Sequence, residues 1–268
     1  RVNQNIKKGR GQGRGESFKP WFEATEIQSK GRIVRTMGVT TKRVMQLVSE
    51  LEGSYQLLAD FDFAVTDQCE QVLLDPATTL LIAQRLGFRH PRVRYSGNLA
   101  PMTTDLVLTR VEHGRAREIA VSVKYEAELN GAKGRRVREK LEIERTYHAI
   151  QGRKFCLATD ANTSPRVIAN LRWLRESHRE GASVLKPEQL AAFSGGFGRQ
   201  HSPTKTIGGR IDQARRAAGL SSQEGLDAFR LCVWSRAIKA DLTKWLRLSS
   251  PFISSSEANL GVRMPWTA

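Results

Sequence analysis

Cysteine is scarce in this chain of 268 residues: there are three, at positions 69, 156 and 232, with no CxxC spacing among them. An odd, dispersed set makes no disulfide framework. None of the five histidines clusters with it in a zinc-ligand pattern, so a reducing cytoplasm is the expected setting. Long hydrophobic runs are missing too. No stretch approaches the roughly 20 apolar residues needed to cross a bilayer, so no membrane partner is expected. No signal peptide is visible, and the chain opens on Arg1 rather than Met, which leads us to expect a short native stretch before it. Acidic residues are in short supply: 27 against 43 Lys and Arg, for a net charge of +16.

Apolar residues are not lacking. They make up 40% of the chain, enough for a real core, and the length suits one large domain or two modest ones. The charge is unevenly spread. Residues 1–46 carry eleven Lys and Arg against three acids, residues 47–164 carry sixteen of each, and residues 165–268 carry sixteen against eight. A neutral middle between two basic segments predicts a core carried between two polyanion-binding parts, with nucleic acid as the polyanion. A solvated basic surface is the alternative use of that charge.

Residues 1–20 show no sustained apolar period and read as an arm. Runs 32–37 and 42–48 are rich in β-branched residues and predict a hairpin across GVTT. Ser49-Glu50-Leu51-Glu52 is a capping box that opens a helix to about Leu58. A strand is expected within 61–74. A helix is expected over 75–88, with Leu80, Leu81, Ala83 and Leu86 as its apolar face. Strands at 103–111 and 117–126 flank the tight Glu112-His113-Gly114 turn, a charge-paired helix spans 134–151, and a strand spans 153–160. That crossover makes the last two strands parallel neighbours, in a mixed α/β unit. Ser164-Pro165 then starts a new helix, which sets a boundary near 164. The GASVLKP and SGGFGRQHSPTKT stretches, 181–187 and 194–206, punctuate the C-terminal third of the chain. Short helices are expected over 210–219 and 226–248, and a hairpin or loop over 249–266.

The chemistry gathers on the paired strands. Ser122 and Lys124 share a face at a period of two, and Asp105 can reach it across the hairpin. A carboxylate beside a lysine at a strand end suits metal-dependent phosphodiester hydrolysis, with the acid holding Mg²⁺ and the lysine orienting water or stabilising charge. Glu52 would be the second carboxylate. Each has a plainer use as well: Glu52 as the last member of the capping box, Asp105 as a strand-start turn residue, Lys124 as a partner of Asp105 or Glu126.

GRGQGRG at 9–15 raises the question of a nucleotide-binding loop. Such a loop needs a strand before the glycines and a helix after them. Here a basic arm precedes them, no GK[ST] occurs, and Pro20 soon follows. The arm is therefore read as a DNA contact, with Lys7, Lys8, Arg10 and Arg14 meeting phosphates while the glycines let backbone approach closely. Packing against a partner subunit and a disordered tether are the alternatives.

Over most of residues 9–175 the chain resembles the TnsA family, the endonuclease subunits of heteromeric cut-and-paste transposases. The likeness rests on GRGQGRG with the Pro20-Trp21 pair, GRIVRTM, TKRVMQLVSELE, LGFRHPRVR, MTTDLVL, VSVK, EKLEIERTYH, ATD and NLRWL, in that order. It implies a restriction-endonuclease-like mixed-sheet catalytic domain over 32–164, after the basic arm 1–31. A mainly helical, winged-helix-like domain would follow over 165–268. By position it makes Glu52, Asp105 and Lys124 the catalytic residues. Ser122 stands where the family has Gln, so the metal would be held there mainly by a carbonyl such as that of Val123. Glu142 or Glu144 could instead offer a migrated carboxylate, although solvated pairing is the role expected of both. Glu70-Gln71 matches a polar pair of the family, with a supporting or a buried hydrogen-bonding role.

The resemblance further implies Mg²⁺ as cofactor, with Mn²⁺ as a substitute, and nicking of the 5′ strand at transposon ends. A DDE-type transposase subunit would cut and join the 3′ end, and an ATPase regulator would engage the C-terminal domain. The setting implied is the bacterial cytoplasm and nucleoid. A catalytically inactive DNA-binding or assembly subunit with a nuclease-like fold is the competing reading, and a stand-alone restriction enzyme is a third.

Overall fold

The computed structural model describes residues 2–23, 26, 33–93, 96–199, 204–258 and 260–267. The expected strand start at residue 32 and the boundary at 31–32 lie outside them. The chain divides into two compact units: residues 1–162 with 264–268, and residues 163–263. No helix among the described residues is long and apolar enough to cross a membrane.

The first unit opens with helix α1 (Val2–Lys7), followed by the glycine-rich segment. That segment is folded rather than extended. Gly9, Gly11, Gly13 and Gly15 all sit at positive φ, between +53° and +93°. A Cβ on Gly13 would meet the Ser17 carbonyl oxygen at 2.6 Å. The alternating glycines thus allow a tight coil that L side chains resist. Gly11 N–H donates to Lys19 O (2.7 Å), and Gly15 N–H donates to the Asp67 carboxylate (3.2 Å), which fastens the segment to a strand.

Strands β1 (Val34–Met37) and β2 (Val44–Leu47) pair antiparallel in the expected hairpin. Helix α2 (Glu50–Phe61) follows, and its cap Ser49 accepts from Glu52 N–H. The main sheet has the order β3 (Val65–Leu73), β4 (Thr103–Glu112), β5 (Arg115–Lys124), β6 (Lys154–Thr159). Its first three strands are antiparallel, and β5 and β6 are parallel. His113 and Gly114 both take positive φ in the β4–β5 turn, the geometry that tight hairpins favour. Leu106, Val107 and Leu108 are all buried, so both faces of β4 are covered.

Helix α2 packs on β3, β4 and β5. Helix α3 (Pro76–Arg85), capped by Asp75, packs on α5 (Gly134–Ile150), which together with the short α4 (Glu126–Asn130) forms the crossover between β5 and β6. Leu74, Ile82, Ala83, Met102, Ile143 and Tyr147 form a core cluster at the α3–α5 contact. The apolar face of α3 is rotated from the expected one: Ile82 and Ala83 are buried, whereas Leu81 is exposed.

Two buried polar contacts tie this unit together. Arg43 grips Glu70 through both guanidinium nitrogens (2.8 and 2.5 Å) and also donates to Gln68 O (2.9 Å) and Gly15 O (3.0 Å). Trp266, from the last described turn of the chain, is buried in this unit. Its Nε1–H donates to Asp62 (3.0 Å), and its ring meets Tyr55 edge-on.

The second unit contains α6 (Pro165–Arg175), α7 (Pro187–Gly198), α8 (Ile207–Ala217) and α9 (Ser222–Trp234). Ser164 caps α6, and the Ser221–Glu224 box caps α9. The stretch 194–198, expected to break the chain, is helical. Gly196 faces Ala214, and a Cβ there would lie 3.5 Å from Ala214 Cα, so this glycine allows a close α7–α8 crossing. Of the short helices expected over 226–248, one forms, ending at Trp234. Beyond it, the described residues of this unit carry only isolated bridges, Thr206↔Pro251 and Ala240↔Ser254, rather than a regular hairpin. Phe193, Phe197 and Phe229 form its aromatic core.

Candidate active site

Glu52 occupies the first turn of α2, and its carboxylate is almost wholly buried. Ser49 Oγ lies 3.0 Å from Oε1, while Val48 N–H (3.1 Å) and Gln71 Nε2 (3.2 Å) donate to Oε2. Only half of the expected capping box forms: Ser49 Oγ accepts from Glu52 N–H, while the Glu52 carboxylate takes Val48 N–H and the Ser49 hydroxyl rather than Ser49 N–H and reaches inward to β3. Burial first, then the charge of Asp105, raises its pKa above the usual carboxylate range. Contact with the cap residue and site membership coexist in one side chain.

Asp105 stands one residue outside the last β4–β5 pair, Leu106↔Val121. Its Oδ2 accepts from Val123 N–H (2.7 Å) and Lys124 Nζ (2.8 Å), with Ser122 Oγ at 3.4 Å. Lys124 Nζ also donates to Val123 O (2.7 Å). Burial alone would lower the Lys124 ammonium, but Asp105, Glu144 and Glu52 hold it above the ordinary lysine value. Lys124 is thus cationic and surrounded by acids. Glu126 is not its partner.

Glu144 completes this group. Helix α5 buries it, and Ser122 Oγ lies 3.2 Å from its Oε2. Its Oε1 has no hydrogen-bond partner among the described residues. Burial, then Asp105, raises its pKa above the usual range. Behind it, Thr104 Oγ1 meets His148 Nε2 at 2.6 Å. Solvated pairing is the role the sequence suggests for Glu142 and Glu144. Glu142 does pair with Arg145 (2.5 Å), but Glu144 faces the site. The signal lies in the spacing, because Glu144 shares the apolar face of α5 with Leu141, Tyr147 and His148. Of the Glu70-Gln71 pair, Glu70 is the buried partner of Arg43, and Gln71 joins the site.

Lys7 and Lys8 are exposed. Arg10 is not: it is buried, paired with Glu23 (2.9 Å) and Glu26, and donates to Trp21 O. Arg14 pairs with Glu118 yet stays more than half exposed.

Among the described residues, no three His, Cys, Asp or Glu side chains are already gathered tightly enough to hold a metal ion. The donor set nevertheless fits a cation. Asp105 Oδ2 and Val123 O converge on one positively charged nitrogen, a buried carboxylate oxygen is left over on Glu144, and the charge of Asp105 adds to burial in raising the pKa of Glu52 and of Glu144. Oxygen donors of this kind suit Mg²⁺ and Mn²⁺.

Two comparisons bear on this site. The family pattern described as TnsA-like endonuclease N terminal matches residues 62–160, which include Asp105, Ser122, Lys124 and Glu144. The chain is also 35% identical over 193 residues to the transposon Tn7 transposition protein TnsA of Escherichia coli, across 72% of this chain and 68% of that protein. A mixed sheet carrying clustered acids and a lysine, in a sequence with that breadth of identity, leads to one conclusion: the chain belongs to the TnsA family of transposition endonucleases.

Proposed function

We propose that this chain is the Mg²⁺-dependent nuclease of a multi-subunit transposase, hydrolysing at each transposon end the strand that carries the element's 5′ end. The observation that carries this reading is the Asp105 carboxylate, which Lys124 Nζ and Val123 N–H address and which Ser122 Oγ links toward the buried Glu144.

Glu52, Asp105 and Glu144 would hold the ion, with the Val123 carbonyl and the Ser122 hydroxyl beside them. When bound, Mg²⁺ supplies charge that polarises the scissile phosphate and makes water a better nucleophile. Ser122 replaces a longer amide at little cost in this arrangement, since its hydroxyl already lies between two of the acids. Lys124, kept protonated by its neighbours, stabilises charge building on the phosphoryl oxygens. In-line hydrolysis would leave a 3′-hydroxyl and a 5′-phosphate.

DNA contact would draw on Lys7, Lys8 and Arg14, while the Arg10 guanidinium is engaged within the protein. A DDE-type transposase subunit would cut the other strand, and the helical second unit would engage the ATPase regulator, all in the bacterial cytoplasm. Ser122, as a departure from the family's residue, favours one second reading: an inactive assembly subunit.

The test is a reconstitution with transposase partner, regulator, donor plasmid and Mg²⁺, mapping nicks strand by strand. Nicks on the 5′ strand that vanish with EDTA support the proposal. Cuts on the 3′ strand alone point to an assembly subunit, and cutting by this chain without partners points to a stand-alone nuclease.

A further inference from the structure

Two of the three donors to Glu52, Val48 N–H and Ser49 Oγ, come with the helix cap. The third, Gln71 Nε2, comes from a different layer of the fold, strand β3. Gln71 is an unusual strand residue. Its φ is +50°, in the left-handed region that L side chains disfavour. It stands where β3–β4 pairing passes from Glu70↔Leu106 to Val72↔Thr104, opposite the strand position of Asp105. The strand register does not shift there, so the left-handed backbone of this one residue, not a bulge, turns a side chain that a regular strand would point elsewhere.

The conformation is held from several sides. The Gln71 carbonyl accepts from Trp21 N–H (3.2 Å), which follows Pro20 at the end of the glycine-rich segment. Thr103 Oγ1 donates to Gln71 Oε1 (3.3 Å), and this fixes the amide with its NH₂ toward Glu52. The side chain is 3% exposed, so water does not compete for it. Strain at a buried residue that touches an active-site carboxylate points to a role in orienting that carboxylate.

We propose that Gln71 is the positioning residue of Glu52: its amide, locked by Thr103 and by the main chain of Trp21, fixes the carboxylate in the orientation that binds the divalent ion. This rests on the reading of Glu52 as a metal holder. It also gives the glycine-rich segment a part in the centre, since that segment delivers Trp21 to β3.

The test is Mn²⁺ binding to the full chain, read by EPR of the free ion, for Gln71→Met, Gln71→Asn and Glu52→Ala. Asn tolerates the left-handed region and keeps an amide, but is one methylene too short to reach Glu52. Both Gln71 variants should weaken Mn²⁺ binding about tenfold, the usual effect of removing a partner of a metal ligand. The unfolding midpoint of Gln71→Asn without metal should stay within about 3 °C of wild type. In a Glu52→Ala background neither variant should weaken binding further. If Gln71→Met fails to fold, the Asn variant decides. The proposal is overturned if Gln71→Asn binds Mn²⁺ as wild type does, or if its loss persists without Glu52. If Glu52→Ala alone leaves Mn²⁺ binding intact, the metal-holding reading of Glu52 fails first, and this role with it.

Discussion

Lys124 Nζ lies 2.8 Å from Asp105 Oδ2, and the same ammonium donates to the carbonyl of Val123 at 2.7 Å. One cation therefore closes the centre, with Glu52 and Glu144 as further acids around it. Without metal, Lys124 is the charge that keeps those acids compatible with burial.

Replacing Lys124 by Met should then destabilise the metal-free chain by about 3 kcal/mol, the low end for a broken buried pair because the lysine is partly exposed. Adding Mg²⁺ should narrow the gap to wild type, since the ion takes over the neutralising role. Thermal unfolding with and without Mg²⁺ measures both effects. A gap that Mg²⁺ leaves unchanged would count against shared use of these donors.

His148 gives the fold a pH dependence. Burial first, then the charge of Arg153, pulls its pKa from 6.5 down to about 4, with Glu118 opposing. The unfolded chain thus takes up this proton before the folded one does. The contribution is fully present above about pH 6.5 and is lost as pH falls toward 4, a loss of about 2 kcal/mol by pH 5. Glu52 and Glu144, whose folded pKa values are raised, act in the opposite sense. The measurement is therefore the difference between wild type and His148→Asn in urea unfolding at pH 7.5 and pH 5. That difference should shift by about 2 kcal/mol against the wild type on acidification.

Arg43 should matter more to stability than its hairpin position suggests. Glu70 is wholly buried, and Arg43→Ala would strand its charge, at a cost of about 3–5 kcal/mol. Arg43→Met with Glu70→Gln should recover part of that loss. Chemical denaturation of the single and double variants checks the order.

Much of this fold can be read from short signals. Ser49, Ser164 and Ser221 announce helix starts because a hydroxyl meets an otherwise unpaired N–H. His113-Gly114 announces a hairpin because both residues tolerate positive φ. Asp105, Ser122 and Lys124 follow from strand period and a short turn. Other features depend on contacts that local pattern does not encode. Arg10 reads as a phosphate ligand until its partners Glu23 and Glu26 are placed beside it. Glu144 sits in a run of charge, where its spacing with Leu141, Tyr147 and His148 is the one signal that separates it from Glu142. Gly196 reads as a breaker because composition does not distinguish a loop glycine from one that admits a neighbouring helix. Gln71 carries no residue-type signal for its left-handed backbone, which long-range contacts from Trp21 and Thr103 maintain.

Helix α5 also offers a test of the DNA path. Arg136, Lys140 and Glu144 recur at four-residue intervals, on one face that ends at the site. Lys140 is solvent-exposed, and partial desolvation, then the charges of Arg136 and Lys124, lowers its pKa. Positive groups held together against their own repulsion suit a phosphate. Lys140→Ala should weaken binding of transposon-end DNA uniformly across sequences and reduce the salt slope by about 1. Fluorescence anisotropy across a salt series measures it, and an unchanged slope would remove Lys140 from the path.

The most direct measurement of the central claim is strand-resolved cleavage by Asp105→Ala in the assembled transposase with Mg²⁺. Asp105 is the acid that Lys124, Val123 N–H and Ser122 all address. The variant should abolish nicking of the 5′ strand while 3′-strand cutting by the partner continues. If 5′-strand nicking persists, Asp105 does not hold the metal, and the chemistry lies elsewhere.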